Sequence, residues 1–308
     1  MLDWEKAEKV LGGVGVILLL VFPIVSGIPG IGYVVQTAAM CAVMYFAYRR
    51  LLFLLVPGLL GSLLLCGFLF DWNIILFGMW AVTVLPGTAF GRLLRAGVPI
   101  ARTFIIVIAI TMVISIGLYW GSHTVISETL DASYDWAQGL MAADGGGAAE
   151  NQAFVEAMGS TIALIKRLMP ALMTLSAVGQ VFVGWVLLLV MLRRLGEFVP
   201  SVRDFIFWKM PDYYVFVTGA IVLFRLLGTD AMKIFADNFI LFFGFFYALF
   251  GFSVFEFYLK KTRLSLFMRV LFYIGILLLQ LPGLILAATV GLFDSYFDFR
   301  KVKARLIG

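Results

Sequence analysis

The membrane topology of the chain depends on the uncharged run "VLFYIGILLLQLPGLILAATVGLF", residues 270–293. Its length is compatible with more than one way of crossing a bilayer. As one α-helix it would extend about 36 Å, slightly more than the ~30 Å hydrocarbon core of a bilayer requires. Pro282 and Gly283 interrupt the run, and proline disfavours helix at the residue before it. Two topologies fit: one long kinked helix that crosses once, or two short helices that turn back near Leu281–Gly283.

The rest of the chain has the composition of a membrane protein. Of its 308 residues, 63% are hydrophobic and 13% are charged, whereas about 25% of residues are charged in soluble domains. Further segments of membrane-helix character lie near residues 10–27, 32–48, 51–70, 74–91, 103–120, 168–192, 213–228 and 238–258. We therefore predict an all-α polytopic transmembrane bundle of about 8–10 membrane segments, forming a single membrane domain over 1–308.

Basic residues alternate between loops and thereby predict the topology. Arg49 and Arg50 follow the second segment, and Arg92, Arg95 and Arg102 follow the fourth. The sixth segment is followed by Arg193, Arg194, Arg203 and Lys209, and the eighth by Lys260, Lys261, Arg263 and Arg269. The positive-inside rule places these loops and the N-terminus in the cytoplasm. The tail "RKVKAR", residues 300–305, is basic as well, which favours a C-terminal Pro-broken hairpin that returns the chain to the cytoplasm. Such re-entrant hairpins are tolerated where they are buried in protein or line a cavity.

Two segments between the membrane runs have their own character. Residues 121–167 are rich in acids and carry apolar residues at helical spacing in two halves, separated by "DGGG" at 144–147. This pattern predicts an extracytoplasmic helical hairpin. Residues 195–211 mix apolar and charged side chains and contain Pro200 and Pro211, a composition typical of a cytoplasmic interfacial segment. Its expected anchors in the headgroup region are Trp208, Tyr213 and Tyr214.

A few polar side chains at membrane depth are the candidates for ligand binding, because polar groups within membranes often mark functional sites. They are Arg225, Gln180 and Gln280. Each has a structural alternative. Arg225 would snorkel to the surface or form an ion pair. The two glutamines would only hydrogen-bond a neighbouring helix, an interaction of roughly 1 kcal/mol.

Other motifs predict helix contacts. Glu256 lies four residues before Lys260, the spacing of a helix-surface ion pair. Asp294, Asp298 and Arg300 suit a salt-bridge cap on the last helix. "GTAFG" at 87–91 and "GLYWG" at 117–121 match the small-residue pattern that lets helices approach closely.

No catalytic motif is present in the sequence. It has no Walker loop, HExxH, GxSxG or paired Asp-rich motif. Cys41 and Cys66 lie inside apolar runs, and His123 is the only histidine, so neither a disulfide nor a metal site is predicted. We expect a protein that is not an enzyme, without a cofactor and without a nucleic-acid partner.

Three C-terminal stretches carry a resemblance to a known family: "FIFWKMPDYYVFVTGAIVLF" (205–224), "NFILFFGFFYALFGFSVFEF" (238–257) and "LPGLILAATVGLFDSYFDFRK" (281–301). They resemble the YybS-like bacterial integral membrane proteins, a family of unknown function that is distantly like the S components of energy-coupling-factor transporters. The resemblance implies a bacterial cytoplasmic (inner) membrane and an S-component-like bundle in the first six helices. It implies no site residues.

These features lead to three functional hypotheses of different classes. The first is a small-molecule binding or transport component, working with a separate energising ATPase module because the chain has no nucleotide-binding motif. The alternative is a non-catalytic assembly or scaffold protein that docks another membrane protein through the outer hairpin and the basic loops. A further alternative is a lipid-handling protein, in which Arg225 faces an opening toward the lipid bilayer. The sequence does not name a ligand.

Overall fold

A computed structural model describes residues 4–25, 30–70, 74–143, 148–197 and 205–300, and these residues form only helices and their connections. The described part contains ten α-helices: α1 Trp4–Val25, α2 Ile31–Arg49, α3 Val56–Phe70, α4 Ile74–Arg95, α5 Ile100–Ala143, α6 Ala148–Arg194, α7 Tyr213–Leu227, α8 Asp230–Lys261, α9 Leu266–Leu278 and α10 Leu281–Phe297. Two short 3₁₀ turns lie at Leu52–Leu55 and Phe205–Phe207. The predicted all-α class is confirmed.

The lengths of the helices agree with a polytopic membrane protein. Among the described residues, five helices are long and apolar enough to cross a bilayer: α2, α4, α5, α6 and α8. Three shorter apolar helices lie at Lys9–Val25, Leu52–Phe68 and Tyr213–Leu227, and α9 and α10 form one bent pair. The predicted bundle of about 8–10 membrane segments agrees with this set.

The chain divides into two compact units, a division that the sequence analysis, which treated 1–308 as one domain, did not predict. The first unit comprises residues 1–166 and 172–200, and the second comprises 167–171 and 201–308. The candidate sites fall separately within these units.

The first unit is built around α2, whose residues from Val43 to Tyr48 are all buried. On α4, a Cβ added at Gly91 would overlap the Met44 carbonyl oxygen, and one at Gly87 would lie 3.4 Å from the Met40 carbonyl oxygen. The "GTAFG" pattern therefore mediates close helix packing, as predicted. The "GLYWG" prediction is wrong in this respect: Gly117 has no atom within 4 Å of an added Cβ, and Gly121 would meet only the Ile74 side chain.

The predicted hairpin of residues 121–167 is formed by continuations of α5 and α6. At 44 residues, α5 extends about 66 Å, roughly twice the bilayer core. Within the hairpin, Lys166 Nζ lies 2.6 Å from Asp131 Oδ1, and Gly159 allows the Tyr134 ring to pack closely. The "DGGG" stretch at 144–147 lies outside the described residues. The extracytoplasmic location remains a prediction.

The second unit is built around α8, against which α10 packs closely. A Cβ at Gly251 would overlap the Ala287 carbonyl oxygen, and one at Gly291 would overlap the Tyr247 carbonyl oxygen. Side chains larger than hydrogen are therefore excluded at both glycines, and the two backbones are in direct contact.

Helices α9 and α10 form a hairpin with a bend of 111°. The break lies at Leu279–Gln280, earlier than the predicted Leu281–Gly283, because proline fits the first turn of a helix and Pro282 occupies that turn of α10. The hydroxyl of Tyr258, near the end of α8, donates to the Phe299 carbonyl over 3.3 Å. The chain thus returns to the end of α8 from which α9 departs, as the hairpin hypothesis requires.

Candidate functional site

A buried polar layer joins three helices of the first unit. Gln36 on α2 donates from Nε2 to Thr83 Oγ1 on α4 over 2.9 Å and to the Met79 carbonyl over 3.2 Å. Gln180 on α6 donates from Nε2 to Gln36 Oε1 over 2.6 Å. Gln36, Thr83 and Gln180 are 2%, 1% and 4% exposed. The amide of Gln36 is therefore the centre of a connected network, which we call the amide layer.

The three side chains of the amide layer lie at matching depths along their helices. Thirteen residues separate Gln36 from Arg49 and Gln180 from Arg193, and twelve separate Thr83 from Arg95. At 1.5 Å per residue, the layer is about 18–20 Å from the arginine-bearing ends of these helices. This distance places it well inside a hydrocarbon core of ~30 Å.

One oxygen of the amide layer is left without a partner. Gln180 Oε1 is buried and accepts no hydrogen bond from any residue that the structure describes, whereas both ends of the Gln36 amide are used. An unsatisfied buried acceptor costs roughly 1–3 kcal/mol. The Gln180 carboxamide is thus an open acceptor for an N–H or O–H group.

Gly179 and Gly184, on either side of Gln180, lie beside side chains of α2. A Cβ at Gly179 would be 3.4 Å from the Tyr33 hydroxyl, and one at Gly184 would be 3.5 Å from Met40 Sδ and from the Met44 methyl carbon. The side chains of a tyrosine and two methionines of α2 therefore lie beside this part of α6. Methionine is unbranched and adapts its shape to what it contacts.

Arg225 lies in a different environment, in the last turn of α7 in the second unit. Its Nε donates to Asp237 Oδ1 on α8 over 2.6 Å. The other oxygen of Asp237 pairs with Nη2 of Arg167. Arg225 therefore belongs to an ion cluster of two arginines and one aspartate, which includes the structural pair that the sequence analysis had considered as its alternative.

Asn238, which the sequence analysis missed, supports this cluster from the next position of α8. Its Nδ2 donates to the Arg167 carbonyl over 2.9 Å, and its Oδ1 accepts from the Ala171 N–H over 2.9 Å. Those two backbone groups are an i, i+4 pair that would bond to each other in an uninterrupted helix. Pro170, inside α6, marks this place in the sequence because proline disturbs the helical hydrogen-bond ladder.

Gln280 is exposed at the break between α9 and α10. It is the N-cap residue of α10, with φ 51°, and its side chain makes no capping hydrogen bond. The three predicted ligand residues therefore occupy three separate environments, and only Gln180 is buried in a polar network.

The most buried charges of the second unit are Arg300 and Asp294, with side chains 0% and 2% exposed. Arg300 donates from Nη2 to Asp294 Oδ2 over 2.7 Å, which confirms the predicted salt bridge. The guanidinium also donates to the carbonyls of Ile206 and Trp208 over 2.5 and 2.7 Å. Asp298 lies 3.5 Å from Lys209 instead. The pair thus fastens the 205–208 segment to α10.

The comparison with protein families gives a match over most of the chain. The family described as "Predicted membrane protein (DUF2232)" matches residues 15–295. The chain belongs to this family. The match includes the amide layer and the Arg167–Asp237–Arg225 cluster. Comparison with curated proteins and with solved structures returned no match. DUF2232 membership supports an integral membrane protein and adds no S-component relationship.

The predicted interfacial anchors of this DUF2232 protein surround the start of α7. Tyr213 is 59% exposed, and its ring centroid lies 4.5 Å from that of Tyr214. Tyr214 also contacts Phe243 at 5.7 Å. Trp208 is half-buried, and its carbonyl is held by Arg300. Of the 195–211 segment, 198–204 lies outside the described residues, and the described part contains only a 3₁₀ turn.

Glu256 has more partners than the single lysine that the sequence predicted. Glu256 Oε1 lies 3.5 Å from Lys260 Nζ, as expected, and 3.0 Å from Arg269 Nη1. The Tyr273 hydroxyl donates to Glu256 Oε2 over 3.0 Å. Glu256 therefore connects α8 to α9.

The described residues contain no group of three His, Cys, Asp or Glu side chains placed to hold a metal ion. Cys41 and Cys66 are buried free thiols. His123 packs edge-on against Tyr119, with ring centroids 5.7 Å apart.

Proposed function

We propose that this DUF2232 protein is a small-molecule binding component of a bacterial cytoplasmic membrane transport system, with a role similar to that of an S component. The observation that carries the proposal is the open acceptor, Gln180 Oε1, buried in the amide layer. Lipid supplies no donor to a group at that depth, and buried acceptors are normally hydrogen-bonded, so we assign the missing donor to a bound ligand.

The chemistry of the amide layer selects the class of ligand. Gln36, Thr83 and Gln180 are neutral, so the ligand is uncharged, since a buried charge would need a charged partner. It presents an N–H or O–H group to Gln180, and its remaining surface is apolar enough to lie against Met40 and Met44. Small binding sites are generally mostly apolar with a few placed polar groups.

Transport would need a second component. The sequence has no nucleotide-binding motif, so an energising ATPase module would be a separate protein. The arginine-bearing ends of α2, α4 and α6, which the positive-inside rule assigns to the cytoplasm, are the surfaces on which such a module would act.

Native mass spectrometry of the protein extracted gently from its own membrane tests this proposal. The wild type is expected to retain a small uncharged molecule, and Gln180→Met, which removes the acceptor at similar volume, is expected to lose it. Gln280→Met is the matched control, because that glutamine is exposed, and it should retain the molecule. Equal retention by wild type and Gln180→Met would refute the site.

A second function, membrane assembly, is favoured by the α5–α6 hairpin. Its exposed apolar side chains include Trp136, Leu140 and Phe154, which are 69%, 50% and 50% exposed. Aromatic side chains exposed outside a membrane are typical of protein interfaces. The same spectra decide between the functions: a stable protein partner without a small molecule would support assembly, and loss of that partner in Trp136→Ser would place the contact on the hairpin.

A further inference from the structure

The ion cluster of the second unit carries an excess of positive charge. Among the described residues, Arg167 and Arg225 share the single carboxylate of Asp237, so one positive charge remains uncompensated there. The nearest acid along α8, Asp230, is exposed and pairs with Lys233 Nζ over 3.3 Å.

Both guanidinium groups retain free donors. In the part of the chain that the structure describes, Arg225 uses only its Nε, so its two Nη groups make no hydrogen bond. Arg167 uses Nη2, and its Nε is buried without a partner. The side chains of Arg167 and Arg225 are 35% and 43% exposed. The cluster is thus open to a further acceptor of hydrogen bonds.

The surroundings of Arg225 are those of a lipid boundary. Helix α7 has 15 residues and extends about 22 Å, less than the ~30 Å bilayer core. Arg225 lies in its last turn, and the neighbouring Leu223, Leu226 and Leu227 are 55%, 70% and 83% exposed. An anion that carries an apolar body would cover these leucines.

We infer that Arg167 and Arg225 bind the phosphate group of a phospholipid, in the leaflet opposite the basic loops. Guanidinium groups match phosphate oxygens with paired N–H donors and hold them by charge-assisted hydrogen bonds. Phospholipid is the anion that combines a phosphate with an apolar body. Asp237 lies 23 residues, about 35 Å, before Lys260 along α8. This is more than the ~30 Å hydrocarbon core, so the cluster lies near the level of a headgroup.

Asp237 and Asn238 prepare the site without occupying it. Asp237 holds both guanidinium groups by one edge each, and Asn238 fixes the backbone of Arg167 against α8. The arginines are therefore ordered before a lipid binds, which reduces the entropy lost on binding. The inference is independent of the proposed ligand at Gln180, which lies in the first unit.

The test is a titration of the delipidated, full-length protein with dioleoyl phosphatidylglycerol, followed by native mass spectrometry. Arg225→Gln and Arg167→Gln are each expected to weaken binding at least roughly tenfold, because each removes charge-assisted hydrogen bonds to the phosphate. Lys233→Gln, at the same end of α8, is the matched control and should bind as wild type does. Equal binding by wild type and Arg225→Gln would overturn the inference.

Two further variants separate binding from a purely structural role. Asp237→Asn removes the negative charge that competes with phosphate, at the cost of some ordering of the arginines, so it should retain lipid binding while lowering the unfolding temperature. Arg225→Lys keeps the charge and should bind more tightly than Arg225→Gln. Loss of lipid binding in folded Asp237→Asn would mean that the cluster is only structural.

The source of the phosphate is tested with two other probes. Dioleoylglycerol, which has the same acyl chains and no phosphate, should not bind at this site, and binding equal to that of the phospholipid would overturn the role of the arginines. Millimolar inorganic phosphate should compete only weakly. Arginine-dependent binding of inorganic phosphate without binding of the lipid would assign the site to a free anion and refute the lipid.

Discussion

Arg300 and Asp294 form a fully buried ion pair, with Nη2 and Oδ2 2.7 Å apart, at the end of α10. The same guanidinium donates to two carbonyls of the 205–208 segment and to Ser253 Oγ on α8 over 2.6 Å. One side chain thus connects α10, α8 and the segment that precedes α7. The stability of the second unit should depend on it.

Replacing Arg300 by Met should lower the free energy of unfolding by roughly 3–5 kcal/mol, because the change leaves the Asp294 carboxylate buried without its cation. Thermal unfolding in detergent, monitored by size-exclusion chromatography after each heating step, measures this loss of stability. Lys260→Met is the matched control: Lys260 is 52% exposed and lies 3.5 Å from Glu256, and such exposed pairs contribute only about 0–1 kcal/mol.

The double variant Arg300→Met with Asp294→Leu tests whether the instability of Arg300→Met comes from an unpaired buried charge or from the loss of the other contacts of Arg300. It should recover part of the stability lost in Arg300→Met, since no unpaired charge remains. A double variant as unstable as the sum of the two single variants would show that the hydrogen bonds to the 205–208 segment, rather than the ion pair, hold this end of α10.

The packing of α10 on α8 provides a second prediction. Gly251→Ala should destabilise the protein by about 1–3 kcal/mol, because the added methyl group overlaps the backbone of Ala287. Gly244→Ala, on the same helix, has no atom within 4 Å of the new Cβ. It should be neutral or stabilising by up to about 1 kcal/mol, since alanine favours helix over glycine. Unfolding temperatures measured in the same detergent compare the two; equal values would contradict the close contact.

The sequence was sufficient for those features that follow from local pattern. Alternating arginines and the basic tail predicted that residues 270–293 turn back, and the contact of Tyr258 with Phe299 agrees. The pattern at Gly87 and Gly91 predicted helix packing. Gly117 and Gly121 have the same spacing without a close backbone contact, because spacing alone does not specify which helix lies opposite.

The sites depended on partners that are distant in the sequence. Gln180 reaches Gln36 across 144 residues, and Arg167 meets Asp237 from another helix. No periodicity within one helix reveals such pairs. Polarity at membrane depth was nevertheless a useful signal, since it selected Gln180 and Arg225, one member of each site. It also selected Gln280, which is exposed because the break precedes Pro282.

A third prediction concerns the amide layer. Gln36→Met should lower the free energy of unfolding by about 1–2 kcal/mol, because it removes the hydrogen bonds to Met79, Thr83 and Gln180 within a membrane helix bundle. Gln180→Met should destabilise less, since it removes one hydrogen bond and also the unsatisfied oxygen. Thermal unfolding of both variants, without chemical denaturant, shows which is less stable. A larger loss of stability in Gln180→Met than in Gln36→Met would place the centre of the network at Gln180.

The fourth prediction tests the topology of the C-terminal hairpin by cysteine accessibility. In a variant with Cys41 and Cys66 replaced by Ser, single cysteines at Ser133, Thr262 and Phe299 occupy exposed positions. If the basic loops are cytoplasmic, a membrane-impermeant maleimide added to intact cells should label Ser133→Cys and should not label Thr262→Cys. Because α10 returns to the end from which α9 departs, Phe299→Cys should behave like Thr262→Cys and react only after the membrane is permeabilised. Labelling of Phe299→Cys in intact cells, with Thr262→Cys protected, would instead mean that α9 and α10 together cross the membrane once.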